Sequence, residues 1–81
     1  MTISVLLFAS AREKAGTDSI ELPVTPPVLV SDLQAALVIA CPALRPLAGS
    51  LLWAVNSRYA NHHDTVEVSD VVACFPPVSG G

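Results

Sequence analysis

The chain has 81 residues, of which 52% are apolar and 14% charged, and its formal net charge is −3. This length predicts one small domain with a single hydrophobic core, and the high apolar fraction leaves apolar surface for a partner. The four basic residues are scattered along the chain, which excludes the concentrated basic face that nucleic-acid binding requires.

The composition also favours a particular cellular compartment. The first apolar run, residues 3–11, is far shorter than the roughly 20 residues that a membrane-spanning helix needs. No basic leader precedes this run, so we expect neither a signal peptide nor a membrane segment. The two cysteines, Cys41 and Cys74, are too few for a disulfide framework. We therefore expect a reduced, cytoplasmic protein.

The first part of the chain predicts two strands separated by a short helical turn. Residues 2–9 form a strand with apolar side chains on both faces, which indicates a central strand or a face that meets a partner. Residues 11–15 predict a helical turn that ends at Gly16. Residues 18–22 alternate between apolar and polar and predict the second strand.

The main helix is predicted after a proline-rich break. Ser31 and Gln34 match a capping box, so Ser31 is predicted to be the N-cap residue at the start of the helix. It is predicted to end near Cys41, because Pro42 disfavours helical geometry at the residue before it. Its buried face is predicted to carry apolar residues at helical spacing, namely Val30, Leu33, Leu37 and Ala40.

The remainder of the chain predicts mainly strands. Residues 51–56 and 71–75 read as strands, residues 59–68 as a short strand with turns, and residues 44–49 as a connector. Two strands, a helix and further strands predict an α+β domain, in which one main helix packs across a sheet.

The last six residues predict a flexible tail that leaves a domain formed by residues 1–75. Pro76 and Pro77 favour extended polyproline geometry, so the tail reaches roughly 20 Å from the domain. Gly80 and Gly81 lack side chains, so the tip can enter a narrow channel. A partner can grip the main-chain amides of residues 78–81 as it would grip a strand. A frayed terminus is the simpler alternative.

The distinctive chemical group of this tail is the α-carboxylate of Gly81. At neutral pH a carboxylate is ionised and is a poor electrophile. It must first be converted to a mixed anhydride, most economically an acyl-adenylate made from ATP. The chain has no Walker-type loop and no dinucleotide fingerprint. We therefore expect a separate enzyme to activate Gly81 and no cofactor to be bound by the chain itself.

The other reactive residue types have simpler interpretations. The adjacent residues 62–64, His-His-Asp, predict a solvated loop and no metal site, because neighbouring side chains rarely converge on one ion. Cys41 and Cys74 read as small apolar residues. Phe8 and Phe75 are candidate core or interface aromatics, and Arg12 is a surface charge or a carboxylate anchor.

Three segments carry a resemblance to a known family. They are Phe8-Ala9-Ser10-Ala11-Arg12-Glu13 followed by Ala15-Gly16, then Ala54-Val55-Asn56, and most specifically Val72-Ala73-Cys74-Phe75-Pro76-Pro77-Val78-Ser79-Gly80-Gly81. Over nearly its whole length the chain resembles the small, sulfur-carrying subunits of molybdopterin synthase. A terminal diglycine is shared by many ubiquitin-like proteins, but Phe-Pro-Pro-Val-Ser-Gly-Gly is narrower.

This resemblance implies a ubiquitin-like β-grasp fold and a role as a sulfur carrier without enzymatic activity of its own. It implies that an adenylyltransferase resembling ubiquitin-activating enzymes uses ATP to adenylate Gly81, which then becomes a thiocarboxylate. The tail then inserts into the large catalytic subunit and gives sulfur to cyclic pyranopterin monophosphate, usually within a heterotetramer. The partner-binding residues implied are Phe8, Arg12, Phe75, Pro76, Pro77, Val78, Ser79 and Gly80.

The chain departs from the family pattern at two places, and three other functions stay open. Val68-Ser69-Asp70-Val71 stands where the family usually has Asp-Gly-Asp-Glu, and Cys74 replaces one of two aromatic residues before Pro76. The alternatives are a sulfur carrier for the thiazole of thiamine, a ubiquitin-like modifier that forms isopeptide bonds, and an interaction module with an inert tail.

Overall fold

A computed structural model of the chain describes residues 2–77, so the predictions for Val78, Ser79, Gly80 and Gly81 concern residues outside the described part. Residues 2–77 form seven strands, three α-helices and one 3-10 helix. The strands are β1 (Ile3–Leu7), β2 (Ser19–Leu22), β3 (Val28–Leu29), β4 (Leu52–Val55), β5 (Arg58–Ala60), β6 (Thr65–Val66) and β7 (Val72–Phe75). The helices are α1 (Ala9–Ala15), α2 (Val30–Ala40) and α3 (Arg45–Ala48), with the 3-10 helix at Pro42–Leu44.

Five of the strands form one mixed sheet in the order β2-β1-β7-β4-β5. β1 and β7 run parallel, whereas the other three pairs of this sheet are antiparallel. β3 and β6 form a separate two-stranded antiparallel ladder. β7, the last strand among the described residues, therefore lies at the centre of the main sheet and is paired with a neighbouring strand on each side.

The core lies between one face of the main sheet and the longest helix, α2. Alternate residues of β1 point inwards, and Ile3, Val5 and Leu7 are all buried, as their period of two predicts. From the helix, Val30, Leu33 and Leu37 complete the same cluster, together with Leu22, Leu44, Leu51, Trp53, Val66, Val72 and Cys74. The expected sheet with one main helix across it is confirmed.

The predicted start of α2 at Ser31 is wrong, because the helix begins at Val30 with Leu29 at the N-cap position. The start of the helix depends on which side chain accepts a hydrogen bond from the main-chain N–H of the N-cap residue. The Leu29 main-chain N–H donates to Asp32 Oδ2 at 3.4 Å, whereas Gln34 bonds to His62 across the chain. The predicted end is confirmed at Ala40, although Ala40 itself is exposed and not part of the buried face.

Two further boundaries differ from the prediction. The strand predicted over residues 2–9 ends at Leu7, because Ala9 has a φ of 53° and turns the chain into α1. The predicted connector at residues 44–49 contains the helix α3, whose first turn holds Pro46, where a missing N–H costs no hydrogen bond. Among residues 2–77, no single helix is long and apolar enough to cross a membrane.

Candidate functional site

The exit of the tail lies beside Phe8. β1 and β7 run parallel, and Leu7 is paired with Cys74. The Phe8 main-chain N–H continues this ladder by donating to the Cys74 carbonyl at 3.3 Å. Phe8 itself is extended, with φ −131° and ψ 157°, so its side chain points away from the buried side of Leu7. The end of β7 and Phe8 are thus brought together, as the two predicted docking aromatics require.

On the face of the main sheet that is turned away from α2, the residues around β7 form an apolar patch that is uncovered among the described residues. We call it the open apolar face. Leu6 is 38% exposed, Phe8 48%, Leu52 37% and Tyr59 77%. Soluble proteins seldom leave several large apolar side chains contiguous unless a partner covers them. The face comprises Leu6, Phe8, Leu52, Ala54, Tyr59, Ala73 and Phe75.

Strand register explains why these side chains meet. Ala54 of β4 is opposite Tyr59 on one side and opposite Ala73 on the other, and Ala73 is opposite Leu6. Residues directly opposite one another in a sheet present their side chains to the same face. Leu52 and Phe75 form the neighbouring row at the end where the tail leaves. Both rows therefore form one continuous surface.

Two aromatic rings on this face touch. The ring centroids of Tyr59 and Phe75 are 5.9 Å apart, with an interplanar angle of 56°. This tilted arrangement is one that aromatic pairs favour. The small side chain of Ala54 lies between their two strands and leaves room for the rings to meet above it. Phe75 is therefore half-buried by contacts within the domain, without belonging to the core.

Arg12 has a different environment from the two aromatics. It is exposed on α1 and lines a polar hollow with Glu13, Gly16, Thr17 and Asp18. Its main-chain N–H donates to the Phe8 carbonyl at 3.4 Å, so it lies one helical turn from the tail exit. The guanidinium thus belongs to the rim of the tail exit and not to the open apolar face.

Cys74 is close to the tail in sequence, but its thiol is buried and a poor nucleophile. Its side chain is buried in the core, and this burial raises the pKa of the Cys74 thiol to about 12. Burial disfavours the thiolate, which is the nucleophilic form. Cys41 is half-buried, at the residue that follows α2. The interpretation of Cys74 as a small core residue is confirmed.

Residues 61–64 form a turn that is tied to α2. The Asp64 carboxylate accepts a hydrogen bond from the Asn61 main-chain N–H at 3.0 Å, and His62 Nε2 lies 3.0 Å from Gln34 Oε1. The Ser31 main-chain N–H donates to the His62 carbonyl. Within residues 2–77, no group of three or more His, Cys, Asp or Glu side chains has an arrangement that could hold a metal ion.

A family model and individual relatives of known name agree on the family to which this chain is similar. The model of the ThiS family matches residues 5–81. The molybdopterin synthase sulfur carrier subunit of Chlamydomonas reinhardtii is 35% identical over the full length of both chains. The subunit of the same name from Escherichia coli strain K12 is 38% identical, over 98% of this chain and 99% of that one.

Solved structures give the same fold. The crystal structure of SAMP1 from Haloferax volcanii superposes with a TM-score of 0.85 at 30% identity, over the whole of both chains. A complex of subunits 1 and 2 of the molybdopterin-converting factor from Helicobacter pylori contains a chain with a TM-score of 0.68 and full coverage of both chains. At 21% identity that second likeness shows the fold alone. The fold expected from the resemblance, a ubiquitin-like β-grasp, is confirmed.

Proposed function

We propose that this chain, which belongs to the ThiS family, carries sulfur for molybdenum cofactor biosynthesis as the small subunit of molybdopterin synthase. The observation that carries the proposal is full-length similarity to molybdopterin synthase sulfur carrier subunits, at 35% and 38% identity. In keeping with this role, the open apolar face leaves Leu6, Phe8 and Tyr59 exposed, which suits contact with a partner. The reactive group is the α-carboxylate of Gly81.

The proposed chemistry follows from what a carboxylate can and cannot do. An adenylyltransferase transfers AMP from ATP to Gly81 and releases pyrophosphate, which makes the carbonyl carbon electrophilic. A donor that supplies sulfur at the oxidation level of sulfide then displaces AMP and leaves a thiocarboxylate. Within the synthase, the thiocarboxylate sulfur forms a bond to cyclic pyranopterin monophosphate. Water then cleaves the bond between this sulfur and the Gly81 carbonyl carbon, so that the sulfur stays on the pterin and Gly81 returns to a carboxylate. ATP is thus used by the activating enzyme, and the chain needs no bound cofactor.

The partner that receives the tail is proposed to dock on the open apolar face. Phe8 and Phe75 lie at the edge of this face from which Pro76 and Pro77 continue. Four residues follow Pro77, and extended chain spans at most about 3.5 Å per residue. The receiving active site therefore lies within about 14 Å of Pro77, which requires the large subunit to contact the domain close to the tail exit. Arg12 on the rim is placed to pair with an acidic group of that subunit.

The test is the mass of the intact protein. Incubation with its adenylyltransferase, ATP and a sulfur source should raise the mass by the difference between one sulfur atom and one oxygen atom. Deleting Gly81, or adding one residue after it, should abolish the increase and leave the thermal unfolding curve unchanged. An unchanged mass of the full chain, with an adenylyltransferase verified on another carrier, would exclude the proposal.

A second candidate is a protein modifier. SAMP1 is a small archaeal modifier protein, and its structure superposes on this chain at 30% identity. The activation step would be the same, but the amine of a lysine would attack the activated Gly81 and form an isopeptide bond. Conjugates that survive both denaturation and thiol reductant would favour this function. A thiocarboxylate on Gly81 of protein purified from its own cells would instead favour the sulfur-carrier function. We further propose that the protein works in the cytoplasm.

A further inference from the structure

Tyr59 stands apart from the other members of the open apolar face. Leu6, Phe8, Leu52, Phe75 and the two alanines present only carbon atoms from their side chains, whereas Tyr59 also carries a hydroxyl group. It is 77% exposed, the largest exposure of the aliphatic and aromatic residues on this face. Among the seven residues of the open apolar face, Tyr59 is therefore the one whose side chain can form a hydrogen bond, whereas the polar residues on the same side of the sheet, Ser4, Ser19 and Glu21, lie on β1 and β2, in the other half of the sheet from β5.

The position of this hydroxyl is restrained. The Tyr59 ring packs against Phe75 with the centroids 5.9 Å apart. Its main chain is paired through Ala54 of β4, the strand that lies between β5 and β7. A tyrosine has only two rotatable side-chain angles, and this contact limits them before any partner binds. The hydroxyl is thus presented at a fixed place relative to the strand that carries the tail.

We propose that the Tyr59 hydroxyl forms a hydrogen bond with a polar group of the large catalytic subunit and fixes the orientation of the carrier on that subunit. The inference rests on the proposed function and adds to it a specificity-determining residue. A polar group that is covered by a partner loses its bonds to water, so the partner must supply a replacement or the complex is weakened. The large subunit should therefore present an acceptor or a donor in an otherwise apolar docking surface.

The large subunit is the favoured occupant because of where the chain continues. Phe75, which the Tyr59 ring contacts, is the last residue of β7, and six residues remain after it. A rotation of the docked domain would displace the tail exit relative to the receiving active site, which the tail can reach over roughly 20 Å at most. Apolar contacts alone tolerate such rotation, because they are not directional. One hydrogen bond at Tyr59 restricts it.

The experiment compares three variants in binding to the purified large subunit of molybdopterin synthase from the same organism, by titration calorimetry. Tyr59→Phe removes only the hydroxyl and keeps the ring contact with Phe75. It should raise the dissociation constant about 5- to 30-fold, since it leaves the partner group without its bond. Tyr59→Leu should weaken binding at least as much. Ile39→Ala, on the outer face of α2 and 81% exposed, is the control that should leave the constant unchanged.

Each outcome decides something. If Tyr59→Phe binds as tightly as the unmodified chain, or more tightly, the hydroxyl has no partner group and the inference is wrong, while the proposed function stands. If the unmodified chain itself fails to bind the large subunit, the proposed function fails, and this inference fails with it. Matching thermal unfolding curves for Tyr59→Phe and the unmodified chain exclude misfolding as the cause of a weaker complex.

Discussion

Asn56 and Asp70 are joined by a hydrogen bond of 2.9 Å from Asn56 Nδ2 to Asp70 Oδ1. The other amide atom of Asn56, Oδ1, accepts from the Val71 main-chain N–H, and Asp70 Oδ2 accepts from the Glu67 main-chain N–H. The two side chains therefore close the turn before β7 and connect it to the end of β4. Asn56 has a φ of 52°, a conformation that asparagine tolerates better than most residues.

Asp70 should make folding stability depend on pH. Hydrogen bonds from the Glu67 main-chain N–H and from the Asn56 amide hold the pKa of Asp70 below its ordinary value. A carboxylate with a lowered folded-state pKa stabilises the fold above its unfolded-state pKa, and this contribution is lost as pH falls through the folded-state value. Asp70→Asn should therefore unfold at a lower temperature than the unmodified chain at about pH 7, and the difference should shrink as the pH falls through the lowered pKa of Asp70.

Melting curves of both proteins across this range test the prediction. Asp70 remains partly exposed to solvent, so added salt should shrink the difference without removing it. A difference between the two melting temperatures that stays constant down to the lowest pH would show that the charge of Asp70 has no part in it.

Gly16 and Gly49 should respond in opposite ways to alanine. Gly16 has a φ of +75° after α1, and a Cβ there would meet no atom within 4 Å, so only backbone strain opposes it. Gly16→Ala should lower the free energy of unfolding by about 1 kcal/mol. Gly49 has a φ of −70° and equally open surroundings, so Gly49→Ala should be neutral or add up to about 1 kcal/mol. Urea unfolding of the two variants measures the change in unfolding free energy for each, and equal changes would contradict this account.

Much of this fold could be predicted from the periodicity of apolar residues and from the positions of prolines and glycines. Gly16 marked the end of α1 and Pro42 the end of α2, whereas alternation grouped the residues of β1 into two faces without deciding which one is buried, since both are apolar. The start of α2 was not accessible in the same way. Gln34 follows Ser31 and Asp32 follows Leu29 at the same spacing of three residues, so either acidic or amide side chain could accept from the N–H of its N-cap residue. In the structure Asp32 accepts from Leu29, and Gln34 contacts His62 instead. That contact joins residues 28 positions apart, which no local pattern encodes.

The candidate site was predicted only in part, for a related reason. Phe8 and Phe75 stood out as aromatics near the ends of two apolar strands, and the structure brings them to one edge of the sheet. Tyr59 was not predicted to belong to this surface, because its contact with Phe75 depends on strand order. β5 is next to β4 and two strands from β7, so Tyr59 can reach Phe75 only in this topology. The sequence signal that could have been used is the alternation around Trp53. Because Trp53 is buried, its neighbours Leu52 and Ala54 point to the open apolar face.

The two cysteines should differ sharply towards an alkylating reagent. With a pKa of about 12, Cys74 is almost entirely a thiol in the folded protein, and its side chain is buried. Only about 1 in 10,000 of such groups is a thiolate at about pH 8. Iodoacetamide should therefore modify Cys41 in the native protein and Cys74 only after denaturant is added. Peptide mass spectrometry distinguishes the sites, and rapid native labelling of Cys74 would contradict its burial.

Removing the Cys74 thiol should affect stability and leave sulfur loading intact. Cys74→Ala leaves a small cavity in the core and should cost about 1 kcal/mol of unfolding free energy. Because the proposed sulfur is carried by Gly81, the variant should still gain the mass of one sulfur-for-oxygen exchange. A variant that folds but is not loaded would assign Cys74 a chemical role.

Phe8 should contribute more to docking than an equally apolar residue elsewhere on the domain. Phe8→Ala removes the aromatic side chain beside the tail exit and should weaken binding of the large subunit about 10- to 100-fold, as loss of a buried aromatic anchor does. The matched control is Ile39→Ala, which removes an even more exposed apolar side chain from the outer face of α2. Because the tail is intact in both variants, any difference in affinity reports on the surface of the domain. Equal weakening by the two substitutions, measured by titration calorimetry, would mean that the large subunit does not recognise the open apolar face.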